Sequence, residues 1–159
     1  MCAIVDNNIV AEVFGDENSR PEAGQQFRKK IDSGKIILVL GGKLRSELKH
    51  KEFCHYWKEA TMAGRVRNYN DGEVQQLTEK IKDIKSWKSN DVHIIALAQI
   101  SGARLLYAND KALQTDFKKY NFENGVRGKI YTTNEKKDYS SAHKRLLRDD
   151  TLRDLCRHS

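Results

Sequence analysis

The stretch Ile36-Ile37-Leu38-Val39-Leu40 places apolar side chains at successive positions with no polar alternation. A strand wetted on one face alternates, so an unbroken apolar run of this length implies a strand covered on both faces, as in a parallel sheet between helices. Short apolar runs recur at Cys2-Ala3-Ile4-Val5, at Ala103-Arg104-Leu105-Leu106-Tyr107-Ala108 and over 129–132, and longer amphipathic stretches separate them. That alternation predicts an α/β chain, a three-layer α/β/α arrangement about a central, mainly parallel, twisted sheet. At 159 residues the chain has the length of one compact domain. A single proline, Pro21, and no Ser/Gly-rich linker or internal repeat interrupt it.

Helices are expected over 9–14, from a Ser19 cap with Pro21 in the first turn to about residue 31, and over 43–51, 52–63, 70–84, 92–100, 111–117 and 141–148. The segment Val92-His93-Ile94-Ile95-Ala96-Leu97-Ala98 is apolar nearly all round, which marks a central, buried helix. The last residues, 136–159, form a charged tail with one short helix, for which the sequence offers no role.

Lys and Arg total 29 against 22 Asp and Glu, a formal charge of +7, which favours polyanionic partners through counterion release. No apolar run approaches the roughly 20 residues of a membrane span, and the N-terminus lacks the order of a secretory signal. A cytoplasmic protein is expected. Cys2, Cys54 and Cys156 are odd in number and far apart, which reads as reduced, partly buried thiols.

The acids carry the chemistry. Asp6 follows the first strand at once and Asp110 a later one, and ligands of open parallel sheets gather beyond the carboxyl ends of the strands. Taken singly, Asp91 at the head of the apolar helix reads as a cap, and Glu47 as a surface charge paired with Lys43 or Lys51. Taken together, four carboxylates in one pocket repel unless a cation neutralises them. Oxygen ligands suit Mg²⁺ or Mn²⁺, and a metal so held can activate water against a phosphodiester.

Asp6-Asn7-Asn8-Ile9 after a strand, Ser46-Glu47-Leu48 on a helix, Ser89-Asn90-Asp91-Val92-His93-Ile94-Ile95-Ala96-Leu97-Ala98, and Gly102-Ala103-Arg104-Leu105-Leu106-Tyr107-Ala108-Asn109-Asp110 occur in the order of the PIN domain. The chain resembles that family over residues 1–135, and most resembles small stand-alone PIN proteins such as VapC-type toxins. The resemblance implies a metal-dependent endoribonuclease acting on RNA. It assigns Asp6, Glu47, Asp91 and Asp110 to the acidic quartet, Asn8 to a polar position beside the first acid, and Asp116 to an extra acid that some members carry. An antitoxin protein and a homodimer are further implications. Many members have Thr or Ser where this chain has Ala108, so a hydroxyl is missing that Asn109 could replace through its amide. His93 is read as a packed histidine beside the sheet.

Arg45 and Lys111 flank proposed ligands and are expected to contact the substrate backbone; Lys43, Lys49, Arg65, Arg67, Lys80, Lys82, Lys85 and Lys88 read mostly as solvated faces. No interleaved aromatics mark a base-stacking platform. Two other readings compete. Ala108 is compatible with a catalytically silent PIN-like module that binds RNA or protein. A response-regulator-like phosphoacceptor ranks last, because the second strand ends in Leu40-Gly41-Gly42 with no acid.

Overall fold

A computed structural model describes residues 1–157. Its core is an all-parallel five-stranded sheet of β1 (Cys2–Val5), β2 (Ile37–Leu40), β3 (Val66–Asn68), β4 (Leu105–Tyr107) and β5 (Lys129–Tyr131), in the order β3-β2-β1-β4-β5. The helices are α1 (Val10–Phe14), α2 (Glu22–Asp32), α3 (Lys43–Glu47), α4 (Lys51–Met62), α5 (Asp71–Lys82), α6 (Val92–Ser101), α7 (Lys111–Lys119) and α8 (Ser141–Leu147). The chain builds outward from β1 to β3, then returns to place β4 and β5 on the other side. Right-handed crossovers therefore set α1, α2 and α4 over one face and α5, α6 and α7 over the other. The three-layer α/β/α expectation holds, and the order reverses between β1 and β4.

The central strands are sheathed as their sequence requires: Ala3, Ile4, Leu105 and Leu106 have no exposure. On α6, Ile100 alone is not buried. Phe27, Tyr107 and Tyr131 close a triangle of rings with centroids 4.8–5.1 Å apart, and the Tyr131 hydroxyl donates to the Ala23 carbonyl at 2.6 Å. Aromatic contacts of this kind add to area burial, while the hydroxyl is satisfied on the backbone of α2.

Local differences from the sequence expectation have identifiable causes. β3 went unforeseen because it is a three-residue edge strand in which only Val66 is buried, too little for any periodicity. Ser19 does not cap α2: it lies in a 3₁₀ turn capped by Asp16, and α2 begins after Pro21 without a side-chain cap. The expected helix over 43–51 stops at Glu47, because Leu48 turns out of the helical region (ψ 84°) and α4 starts afresh after His50.

The tail lies on the same body. Ser140 and His143 form a reciprocal capping box that starts α8, which packs on β5. Asp149 pairs with Lys129, Leu152 is buried, and the Arg157 N–H donates to the Ser101 carbonyl at 2.9 Å. Gly102 adopts a positive φ of 83° at the end of α6, and a Cβ there would collide with the Leu155 carbonyl, so the tail crosses where only glycine fits. The expectation of three reduced thiols is corrected here: Cys2 and Cys156 are disulfide-bonded with Cα atoms 5.5 Å apart, and Cys54 alone is free and exposed. Sequence separation concealed this, because the fold-back of the tail brings residues 154 positions apart into contact.

Thiol titration of the denatured, unreduced chain should count one reactive group, and three after reduction. Replacing Cys156 by Ser should lower stability in urea titration by up to about 5 kcal/mol, the order expected when a cross-link over so long a loop is lost.

Candidate metal centre

The reversal of strand order places Asp6 and Asp110 at the ends of adjacent strands, near enough to Asp91 and Glu47 for their charges to interact, while the ligand atoms that lie at metal-binding separation are those of Glu47, Asp91 and His93. The backbone N–H of Asp6 donates to the Tyr107 carbonyl at 3.0 Å, which extends the β1–β4 ladder by a residue and fixes Asp6 in the cleft where the two strands diverge. Asp6 is 4% exposed, and its Oδ2 has no hydrogen-bond donor. Asp110 caps α7, with Oδ1 accepting from the N–H groups of Ala112 (2.9 Å) and Leu113 (3.2 Å).

Asp91 stands at the head of α6, yet its carboxylate makes no capping bond. The bland reading of this residue therefore fails, and the carboxylate is left for another partner. Glu47, on the last residue of α3, is not in an ion pair with Lys43 or Lys51. Its Oε1 instead lies 2.8 Å from His93 Nε2, and the ligand atoms of Glu47, Asp91 and His93 all fall within 4.8 Å of one another. Despite that approach, Oε1 counts no hydrogen-bond partner among the described residues and remains a buried acceptor.

The electrostatics tie the four acids into one pocket. Burial first, then the carboxylates of Asp91, Glu47 and Asp110, push Asp6 up to about 6, against a weaker pull from the Asn7 N–H. Asp91 is likewise raised, by burial and by Asp110, with relief from Lys43. Burial lowers His93 from its ordinary value, with Lys43 adding to that effect and Glu47 opposing it. Two buried oxygens without donors, Asp6 Oδ2 and Glu47 Oε1, are costly to leave unsatisfied, and a divalent cation held by Glu47, Asp91 and His93 would satisfy the second. The donor set thus fits a metal.

Three residues fall outside this role. Asp116 is not brought in as an extra acid: both its oxygens accept from the Lys88 N–H (3.1 Å) and Oδ2 also from the Ser89 N–H (2.8 Å), tying α7 to the loop before α6. Arg45 is not free for substrate, because its guanidinium bonds Asp71 Oδ1 (2.9 Å), Asn68 Oδ1 (2.6 Å) and the Tyr69 carbonyl (2.9 Å). Asn109 does not replace the missing hydroxyl, since its amide is consumed by Thr132 and Thr133 on the far side of β4 from Asp6's strand. Asn8 is exposed in the turn after Asp6, and Lys111 is exposed at the first residue of α7 with no ion pair among the described residues.

His93 is buried, as a packed histidine should be, but it meets Glu47 rather than the core alone. A groove of about 600 Å³ runs up to it, lined by Lys43, Lys82, Lys85, Trp87 and Asn90. The Trp87 N–H is anchored on the Ile81 and Lys82 carbonyls, and Lys85 Nζ lies 4.7 Å from the centre of the indole ring. The sequence signal for this groove was the lone Trp inside the lysine-rich segment 80–88, which reads as a solvated face until the fold turns it toward Asp91.

No protein-family model, curated protein or solved structure matches the chain.

Because Asp6 is raised in the folded state, its protonated form is favoured there. The stability it contributes is complete below about pH 4 and is lost as pH rises to about 6. In chelator, Asp6→Asn should therefore raise stability at pH 7.5 by up to about 3 kcal/mol, with the gain vanishing near pH 4; urea unfolding at the two pH values checks it.

Proposed function

We propose that the chain is a metal-dependent endoribonuclease of PIN type, which hydrolyses RNA phosphodiesters with Mg²⁺ or Mn²⁺ held by Asp6, Glu47, Asp91 and Asp110. The observation that carries this reading is the buried, donorless Oδ2 of Asp6 at the centre of mutually repelling carboxylates. When bound, a divalent ion lowers the pKa of a coordinated water and offsets charge on phosphorus during in-line displacement.

The chain's own groups supply the rest. Asp6 and Glu47 bring buried acceptors, Asp91 brings a carboxylate released from capping, and Asp110 is held rigid by the amides of α7. Lys43, Lys82 and Lys85 line the approach and attract a phosphate backbone, beside Trp87, which is stacked on Tyr120 with Lys85 over its ring. A protein antitoxin and a homodimer belong to this proposal through the family resemblance, as does a cytoplasmic setting. The disulfide pulls against a reducing compartment.

A second reading, a silent RNA- or protein-binding module, is favoured by one observation: Ala108 is fully buried and Asn109 is engaged elsewhere, so no hydroxyl or amide stands beside Asp110 in place of the usual Thr or Ser.

Purified wild-type chain should cleave labelled single-stranded RNA when Mg²⁺ or Mn²⁺ is added and stop in chelator. Asp6→Asn and Asp91→Asn should each reduce the rate by about 100-fold or more, the loss of several kcal/mol of charge stabilisation. Metal binding without cleavage in the wild type would select the silent module. Lys82→Ala with Lys85→Ala should weaken RNA binding and reduce the steepness of its salt dependence by roughly two charges, read by anisotropy titrations at several salt concentrations.

A further inference from the structure

The acidic quartet is oxygen-only, but the pocket also contains a nitrogen. His93 sits on the first turn of α6, two residues after Asp91, and is 3% exposed. Its Nε2 reaches Glu47 Oε1 at 2.8 Å, and its ligand atom lies within 4.8 Å of that of Asp91. That distance is short enough for a polar contact between the two groups, yet Oε1 counts no hydrogen-bond partner among the described residues. Two neighbouring ligands of one ion, each about 2.1 Å from it at a right angle, stand about 3 Å apart. The Nε2–Oε1 distance is of that size, and Asp6, nine-tenths buried with a donorless oxygen, lies near enough to Glu47 and Asp91 for their charges to act on it.

We infer that His93 is a nitrogen ligand of the metal in this pocket, and that it biases the site toward imidazole-accepting ions such as Mn²⁺ and Zn²⁺ over Mg²⁺. This rests on the proposed metal centre and adds to it a ligand that lies outside the acidic quartet. The chemistry follows from ligand softness: Mg²⁺ prefers an all-oxygen octahedron and gives up its waters reluctantly, whereas imidazole suits Zn²⁺ and is accepted by Mn²⁺. Glu47 and Asp91 enter from different elements, α3 and the head of α6, so His93 adds its nitrogen on the same helix turn as one of the carboxylates it accompanies. Its backbone is fixed by the most buried helix of the fold, which removes most of the freedom a surface histidine would have to lose on binding.

The test uses the full chain and the metals alone. Pulsed electron paramagnetic resonance of the Mn²⁺-loaded wild type should show ¹⁴N coupling from a directly bound imidazole, and His93→Gln should abolish it. Calorimetry should find Mn²⁺ and Zn²⁺ bound more tightly than Mg²⁺, with His93→Gln losing roughly 10- to 100-fold in affinity for Mn²⁺ and little for Mg²⁺. Mn²⁺ binding by the wild type without a ¹⁴N signal overturns the inference while leaving the acidic centre intact, and that measurement needs no variant to fold. Absence of binding by all three ions overturns both.

Discussion

Mutual repulsion between a buried carboxylate, Asp6, and the half-buried acids around it is the constraint around which this molecule is organised. Asp6 cannot leave the cleft, because its backbone is the last rung of the β1–β4 ladder. Asp110 cannot turn away without uncapping α7, and Glu47 lies where α3 is cut short by Leu48. Charges fixed in this way are destabilising on their own. Proteins retain such strain where something outside the chain relieves it, and the region where the strand order reverses is where open α/β sheets receive ligands.

The scaffold around the acids is itself polar and largely engaged. Arg45, two residues before Glu47, is clamped to Asp71, Asn68 and the Tyr69 carbonyl, which locks α3 onto the end of β3 and the start of α5. Asp71 is exposed and its carboxyl is held below the usual range chiefly by that guanidinium. The arginine therefore positions a proposed ligand through the backbone rather than touching a substrate. Glu12 plays a comparable part on the other side, accepting from the Tyr107 hydroxyl at 2.5 Å and the Thr133 hydroxyl at 2.8 Å and so joining α1 to β4 and the end of β5.

Much of this was legible in the sequence, and the rest was hidden for physical reasons. Unalternating runs announced covered strands, and the all-apolar helix after Asp91 announced the centre of the fold. The quartet was visible because each acid stands at a definite place relative to an element end. β3 was not visible, since a three-residue edge strand buries too little to leave a pattern. The partners of Arg45 and Asp116 were not visible either, because a side chain's hydrogen bonds depend on which loops the topology brings near it. The same holds for Cys2 and Cys156, whose union is a product of the whole fold. His93 fell between: its burial could be read from the helix, but its neighbour Glu47 belongs to a different element.

Asp116 spans the gap between the two helices whose first turns carry Asp91 and Asp110. With its oxygens fastened to the Lys88 and Ser89 amides, it acts as a tie-rod between α7 and the loop that leads into α6. Parting those two helices would mean breaking these bonds. A brace of this sort makes α7 and the loop ahead of α6 move as one piece, so the spacing between the two helix heads that carry Asp91 and Asp110 is constrained by a carboxylate that sits at neither of them.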